Sequence, residues 1–222
     1  MILADTRSRL SESDLRLVVL LLGQGSAARR SAVEQRLAAE GPDALLDQPD
    51  LLERLLAVRS ILMPSEPLFF YVIVRHTLLR AGCDDRELAY YLAAMLVAFG
   101  KRDRAFRIDW NDDQQHRYLV DILNDLAVTE GDRRFRVLAH LGNYALWLAG
   151  IYPDYIAARR LRRGGPDLQY YEMLGRRGFE QASDHALADR YGLDNVFRTA
   201  AERFPQVRLA LNTLGERIHF AA

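Results

Sequence analysis

Cysteine is almost missing from this chain, and so is lysine. Cys83 stands alone, so no intramolecular disulfide can close and no cysteine-based zinc site can be built. That usage fits a reducing compartment, and the cytoplasm is the expected location. Lys101 is the single lysine among 30 basic residues. Arginine suits bidentate phosphate or carboxylate recognition, but the bias touches nearly every basic position rather than one cluster, which favours a genomic cause over a functional one.

An excess of either charge is also lacking. Thirty basic and 30 acidic residues cancel to a formal net charge of zero, which argues against electrostatic bulk binding and makes nucleic acid a disfavoured partner. No run approaches the ~20 apolar residues that a membrane span needs. The opening MILADTRSRL carries Asp5 and no apolar core, so no secretory signal is expected. Strand-like alternation never persists, and the His-Glu-x-x-His, phosphate-loop, dinucleotide and nucleophile-elbow motifs are missing, as are paired Glu-x-x-His ligands. No metal and no cofactor is implied by motif.

What the chain does have is helix punctuation, repeated along its length. Ser11 with Asp14 reads as a capping box ahead of Leu15, Val18, Val19 and Leu22, with Gly23 and Gly25 as the stop. Ser26 opens a second helix, with Ala27, Val33 and Leu37 as apolar contacts, that Gly41-Pro42 ends. The pair has the outline of a helix-turn-helix but no basic recognition face. Pro49 and Asp50 start a third helix, with Leu51, Leu55, Val58 and Leu62 on one face. The break Pro64-Ser65-Glu66-Pro67 divides an N-terminal helical segment, 1–63, from a main helical body, 67–222, within what reads as one continuous domain.

Pro67 then begins an apolar helix interrupted only by Arg75 and His76 before Gly82. A buried Arg75 needs a counter-charge, so a structural ion pair or an anion site is expected there, the ion pair being the simpler. Asp84 and Glu87 look like the next capping box, before a helix that stops at Gly100. Residues 101–113 form the longest irregular stretch, basic at Lys101, Arg102, Arg104 and Arg107 and acidic at Asp109, Asp112 and Asp113. Asn111 or Asp112 caps a helix that Gly131 ends, and Asp132 caps the next.

That next helix carries the organising stretch. In the uncharged run VLAHLGNYALWLAGIY, His140, Asn143, Tyr144 and Trp147 fall at i, i+3, i+4, i+7 and share a face, while Ala139, Gly142, Ala145 and Ala149 leave a strip of little bulk for a close neighbour. Gly150 is expected to end it and Pro153 to begin a short basic helix with Arg159, Arg160, Arg162 and Arg163, broken at Gly164-Gly165-Pro166. Asp167 caps the following helix, which carries Tyr170, Tyr171, Glu172, Gly175, Arg176, Arg177 and Gly178. Two more helices flank Pro205.

Gly142, Asn143, Ala145, Leu146, Gly150 and Pro153, followed by Tyr170, Tyr171 and Gly175, resemble a pattern found in uncharacterised bacterial all-helical proteins. The resemblance spans about a sixth of the chain and implies no activity.

The expected architecture is an all-α, multi-helix bundle of about ten helices with no sheet. The candidate ligand-binding constellation is Arg75, His76, His140, Asn143, Tyr144, Tyr171 and Glu172, which would meet in a polar pocket if the two apolar helices pack together. The favoured outcome is the structural one, a polar network that orients the core. Arg159, Arg160, Arg162 and Arg163 with Arg176 and Arg177 form the candidate basic patch. Neutral charge and abundant aromatics lead to an adaptor or regulator working through a protein partner, a second copy of the chain in a homodimer among them. A small-ligand binder or cofactor-free enzyme is the alternative.

Overall fold

A computed structural model describes residues 10–58, 63–101 and 103–221, with side chains to Gly215. The predicted positions Leu62 and Arg102 lie outside those descriptions. Among the described residues there are thirteen α-helices, ten of them seven residues or longer, one short 3-10 helix and no strand. The all-α expectation therefore holds. None of these helices is long and apolar enough to cross a membrane.

The centre is α8, Gly131–Ile151 in this numbering of helices along the chain. Almost every residue from Val137 to Gly150 is buried, Trp147 being half-buried. The helix does not stop at Gly150 as the glycine suggested. It continues to Ile151 because the effective stop is Pro153: the residue before a proline is driven out of the helical region, and Tyr152 sits at φ −127°, ψ 50°. Gly150 serves another purpose, since a Cβ there would lie 2.7 Å from the Leu211 Cβ of α13, Phe204–Ala221. Gly131 likewise begins α8, at φ 53°, instead of ending α7, Leu119–Val128, and Glu130 rather than Asp132 occupies the cap position.

The small-residue strip receives α10, Leu168–Ser183. A Cβ on Gly178 would come within 2.8 Å of the Gly142 backbone nitrogen, and one on Gly142 within 2.6 Å of the Phe179 ring. Gly175 faces Ala145 and the Phe204 ring just as closely. Backbones can approach this near only where side chains are absent, which gives the Gly142–Gly175 part of the sequence pattern a packing cause. α11, Ala186–Arg190, and α12, Asp194–Glu202, complete this side, where Phe179 and Phe197 stack 5.6 Å apart.

The first half is built from α1, Glu12–Leu22; α2, Ala27–Glu40; α3, Pro42–Leu46; and α4, Leu51–Leu56. The Ser11–Asp14 capping box forms as read. Pro42 does not merely end α2 but opens α3, which periodicity over five residues could not reveal, and α4 is one turn and a half where a longer helix was expected. α2 buries no residue fully, so Ala27 is exposed and Val33 and Leu37 are only half-buried.

α5, Glu66–Arg80, and α6, Arg86–Phe99, bridge the two halves. Leu68, Val72, Ile73, Val74 and Leu78 join one continuous apolar core with Leu45, Leu46, Leu51 and Leu52 on one side and Leu92, Leu141 and Leu211 on the other. The cap of α6 is Asp85, whose carboxylate accepts from the Leu88 N–H at 2.9 Å; Asp84, expected in that role, points elsewhere.

Candidate functional site

The seven residues of the predicted constellation are placed in several neighbourhoods. Arg75, 1% exposed, gives Nε and Nη2 to the two oxygens of Asp47 at 2.8 and 2.9 Å and a further bond to Asp84. Arg86 adds a second guanidinium to Asp47 at 2.7 Å, and the Tyr90 hydroxyl donates to Asp43 at 2.9 Å. His76 Nε2 lies 3.0 Å from the Leu46 carbonyl oxygen. Burial raises the Asp47 carboxyl, but the hydrogen bonds from Arg75 and Arg86 outweigh it and hold the group below its usual range. Burial pushes the His76 ring down, so it rests neutral. This is a polar joint fastening α3 to α5 and α6, and it gives Arg75 its structural ion pair.

Glu172 also pairs, with Arg208 of α13, which in turn bonds Asn212, whose amide reaches the Ala149 and Gly150 carbonyls at 2.9 and 2.6 Å. Asn143, 1% exposed, bonds Tyr91 of α6: the tyrosine hydroxyl donates to Oδ1 at 2.9 Å and accepts from Nδ2 at 2.7 Å. The His140 ring sits edge-on to Phe99 and beside Tyr144, and burial, then the Arg104 and His116 charges, drive its ionisation well below the ordinary imidazole value. Arg104 and His116, which carried no periodic signal, are both buried. Arg104 is held by the Arg107 and Ile108 carbonyls, and His116 Nε2 lies 3.2 Å from Asp125 without the alignment of a hydrogen bond.

Of the two remaining residues, Tyr171 is buried on α10 and Tyr144 lines a pocket. Tyr144 donates its hydroxyl to the Arg117 carbonyl at 2.6 Å, fixing the connection 107–118 against α8. The irregular stretch is longer than expected, because α7 starts at Leu119 and not after Asp112. It is anchored by Arg133, which reaches Asp112 at 2.9 Å and Asp125 at 2.8 Å, and by Arg136 on Asp109 at 2.9 Å. Between this connection, the last turns of α8 and the start of α9, Pro153–Arg163, lies a cavity of about 310 Å³ walled by Phe106, Tyr118, Tyr144, Trp147, Tyr152 and Tyr155. Its rings form a chain: Tyr144 to Trp147 at 6.0 Å, Phe106 to Trp147 at 6.4 Å, and Trp147 to Tyr152 at 5.1 Å in an edge contact.

One arginine, Arg117, lines this cavity, and a second, Arg159, lies against one of its wall rings. The Arg117 guanidinium stands 5.0 Å over the Phe106 ring and Arg159 stands 4.2 Å over Tyr118. Among the described residues neither has a carboxylate at ion-pair distance: Arg117 bonds the neutral Gln115 amide oxygen at 2.9 and 3.1 Å, and Arg159 acts electrostatically on Tyr144 and Tyr171. No family model, curated protein or solved structure matches the chain. The pocket is therefore read from its own chemistry.

Its walls were only partly legible. Tyr144 and Trp147 came from helical spacing; Phe106, Tyr118 and Tyr152 lie outside the α-helices and Tyr155 in the first turn of α9, where no sustained periodicity marks which ring faces inward. The predicted basic patch divides. Arg159 stands over the Tyr118 ring beside the pocket, Arg160 lies 3.6 Å from Asp167, and Arg162 and Arg163 are exposed on α9. Arg176 and Arg177 instead line a groove with Glu172 and Glu180, which balances them. A larger cavity of about 510 Å³ separates α1 from α2; its walls are Leu15, Val19, Leu20 and Leu37, with Arg16, paired with Glu12 at 2.8 Å, on the α1 side and Arg30 and Glu34 on the α2 side. Its two acids and two arginines offset each other, and no aromatic ring lines it. No cluster of three or more His, Cys, Asp or Glu side chains among the described residues is arranged for a metal ion.

Proposed function

We propose that this protein binds a small organic ligand with a flat, unsaturated body in the aromatic cavity beside the C-terminal half of α8. The carrying observation is the combination of six aromatic walls with two guanidiniums that lie over ring faces and have no acid partner among the described residues. Aromatic walls exclude water and stack on any planar π-system, while polar groups at the rim fix orientation. Arginines already covering Phe106 and Tyr118 disfavour a cationic guest, which would otherwise suit an aromatic cage. A volume near 310 Å³ stands at the small end of the range for ligand cavities, about 300–1,000 Å³.

The protein-contact reading receives less support. The exposed large apolar residues are spread over many elements, among them Leu56 on α4, Val120 and Val128 on α7, Leu161 on α9, Tyr170 and Met173 on α10 and Leu209 on α13, and scattered exposed apolar residues are ordinary on any surface. The lone, buried Cys83 supports a cytoplasmic setting for the ligand-binding role.

Calorimetric titration with a panel of flat aromatic acids, nucleosides and nucleotides tests the reading. At least one class should bind saturably to the wild-type protein and lose most of its affinity in Trp147→Leu at unchanged helicity. Absence of saturable binding across the panel, or equal binding by both proteins, contradicts it.

A further inference from the structure

We infer that the ligand of this cavity is a nucleoside phosphate, an inference that rests on the binding role proposed above. Three kinds of recognition group meet at one place. The ring walls provide π-faces, and stacking of a nucleobase on such faces is a recurring, sequence-tolerant mode of binding. Tyr118, Tyr152 and Tyr155 are all partly exposed, and their hydroxyls make no hydrogen bond among the described residues, in contrast to the Tyr144 hydroxyl on the Arg117 carbonyl. They are free to bond the hydroxyls of a sugar. Arg117 and Arg159 complete the set with planar forks suited to phosphate oxygens.

Charge at the rim agrees. Beyond Arg159, the same helix carries Arg162 and Arg163 exposed in its last turn. The nearby Asp121 carboxylate is occupied by the backbone N–H groups of Arg117 and Tyr118 at 3.1 and 3.0 Å, leaving Asp154 as the acid in the first turn of α9. The local balance is thus cationic within a chain of zero net charge. A flat aromatic carboxylate would use the rings and one guanidinium but leave three phenol hydroxyls to water. A nucleoside would use rings and hydroxyls but leave both guanidiniums without a counter-charge. A nucleoside phosphate engages all three, and the modest cavity fits one nucleotide better than a dinucleotide.

Trp147 lines the cavity and reports its occupancy once the exposed Trp110 is removed, so fluorescence of Trp110→Phe is the readout, with calorimetry on the unaltered chain as its control. The probes are the four ribonucleoside 5′-monophosphates, their nucleosides, indole-3-carboxylate, inorganic phosphate and a single-stranded ten-uridine oligonucleotide. At least one monophosphate should quench saturably and bind about tenfold or more tighter than its nucleoside, and inorganic phosphate alone should leave Trp147 unchanged. Arg159→Gln and Arg117→Gln should each erase most of that difference, weakening monophosphate binding far more than nucleoside binding at unchanged helicity, with Arg159→Lys retaining part of it.

Equal affinity for nucleoside and monophosphate overturns the inference while the aromatic-ligand role stands. So does tighter binding of indole-3-carboxylate than of any monophosphate. Binding of the oligonucleotide without any monophosphate makes the face a nucleic-acid surface and overturns it as well. No response to any probe removes the inference and the binding role together.

Discussion

Two clusters of arginine stand at opposite ends of a scale of satisfaction. In the joint between α3, α5 and α6, Arg75 is buried and bonded to two carboxylates, and Arg86 shares one of them. At the aromatic cavity, Arg117 and Arg159 lie over rings with no acid in reach among the described residues. The first arrangement spends its charge on holding two halves of the molecule together. The second leaves charge available, at the cost of some stability that a carboxylate partner would have supplied. Residue type alone does not distinguish these roles; the identity of the nearest acid does.

Removing the acid from the joint should give the largest effect. Asp47→Ala leaves Arg75 buried with only Asp84, and breaking a buried pair costs about 3–5 kcal/mol; the surviving Asp84 contact places the expected loss near the lower end of that range. Urea unfolding of the two proteins measures it. A loss below about 1 kcal/mol would make the joint ornamental and erase the contrast with the cavity.

Asn143→Ala sharpens the distinction inside α8 itself. The substitution strands the buried Tyr91 hydroxyl and should cost about 1–3 kcal/mol in the same experiment, without changing ligand affinity at the cavity. Lost binding at unchanged stability would transfer Asn143 from the structural network to the site.

Acidification probes the joint and the core by charge alone. His76 and His140 are held neutral by burial, with ring ionisation below the ordinary 6.5. As pH falls below 6.5 the unfolded chain takes up protons that the native chain refuses, so unfolding free energy should fall with pH through that window. Asp47 and Asp14, both held below 3.8, should add a second loss as pH drops under 3.8. Melting temperatures between pH 8 and pH 3 follow both steps; a flat profile from pH 7 to pH 5 would contradict neutral burial of the histidines.

The smallest stability effect belongs to Arg159→Gln. A half-buried arginine over a tyrosine ring, with no ion pair, should change unfolding free energy by less than about 1 kcal/mol. A larger loss would make Arg159 a structural residue like Arg75.

These contrasts also mark what the sequence could reveal. The shared face of His140, Asn143, Tyr144 and Trp147 and the small-residue strip follow directly from helical spacing, because side chains three and four apart must lie together whatever the helix packs on. Capping at Ser11, Ser26 and Asp167 was equally readable, being a local exchange of hydrogen bonds. Partners distant in the chain were not. Nothing near Arg75 names Asp47, 28 residues away, and the adjacent Asp84 was read as a cap because Asp84 and Asp85 offer the same chemistry at neighbouring positions. Gly150 misled for a similar reason: glycine ends helices and also admits close neighbours, and only the packing of Leu211 decides between them. The cavity was the least legible feature, since three of its six aromatic walls, Phe106, Tyr118 and Tyr152, lie outside the α-helices.

The contrast between committed and available arginines is tested most directly by the Nε–Hε resonances of ¹⁵N-arginine-labelled protein, recorded with and without adenosine 5′-monophosphate and its three counterparts. Arg75 should give a resonance protected from solvent exchange and indifferent to every nucleotide. Arg117 and Arg159 should exchange rapidly in the free protein, then shift and sharpen as one of the nucleotides saturates. Resonances of Arg117 and Arg159 that stay unmoved by all four nucleotides, or an Arg75 resonance that moves with them, would contradict the assignment of one cluster to structure and the other to a ligand.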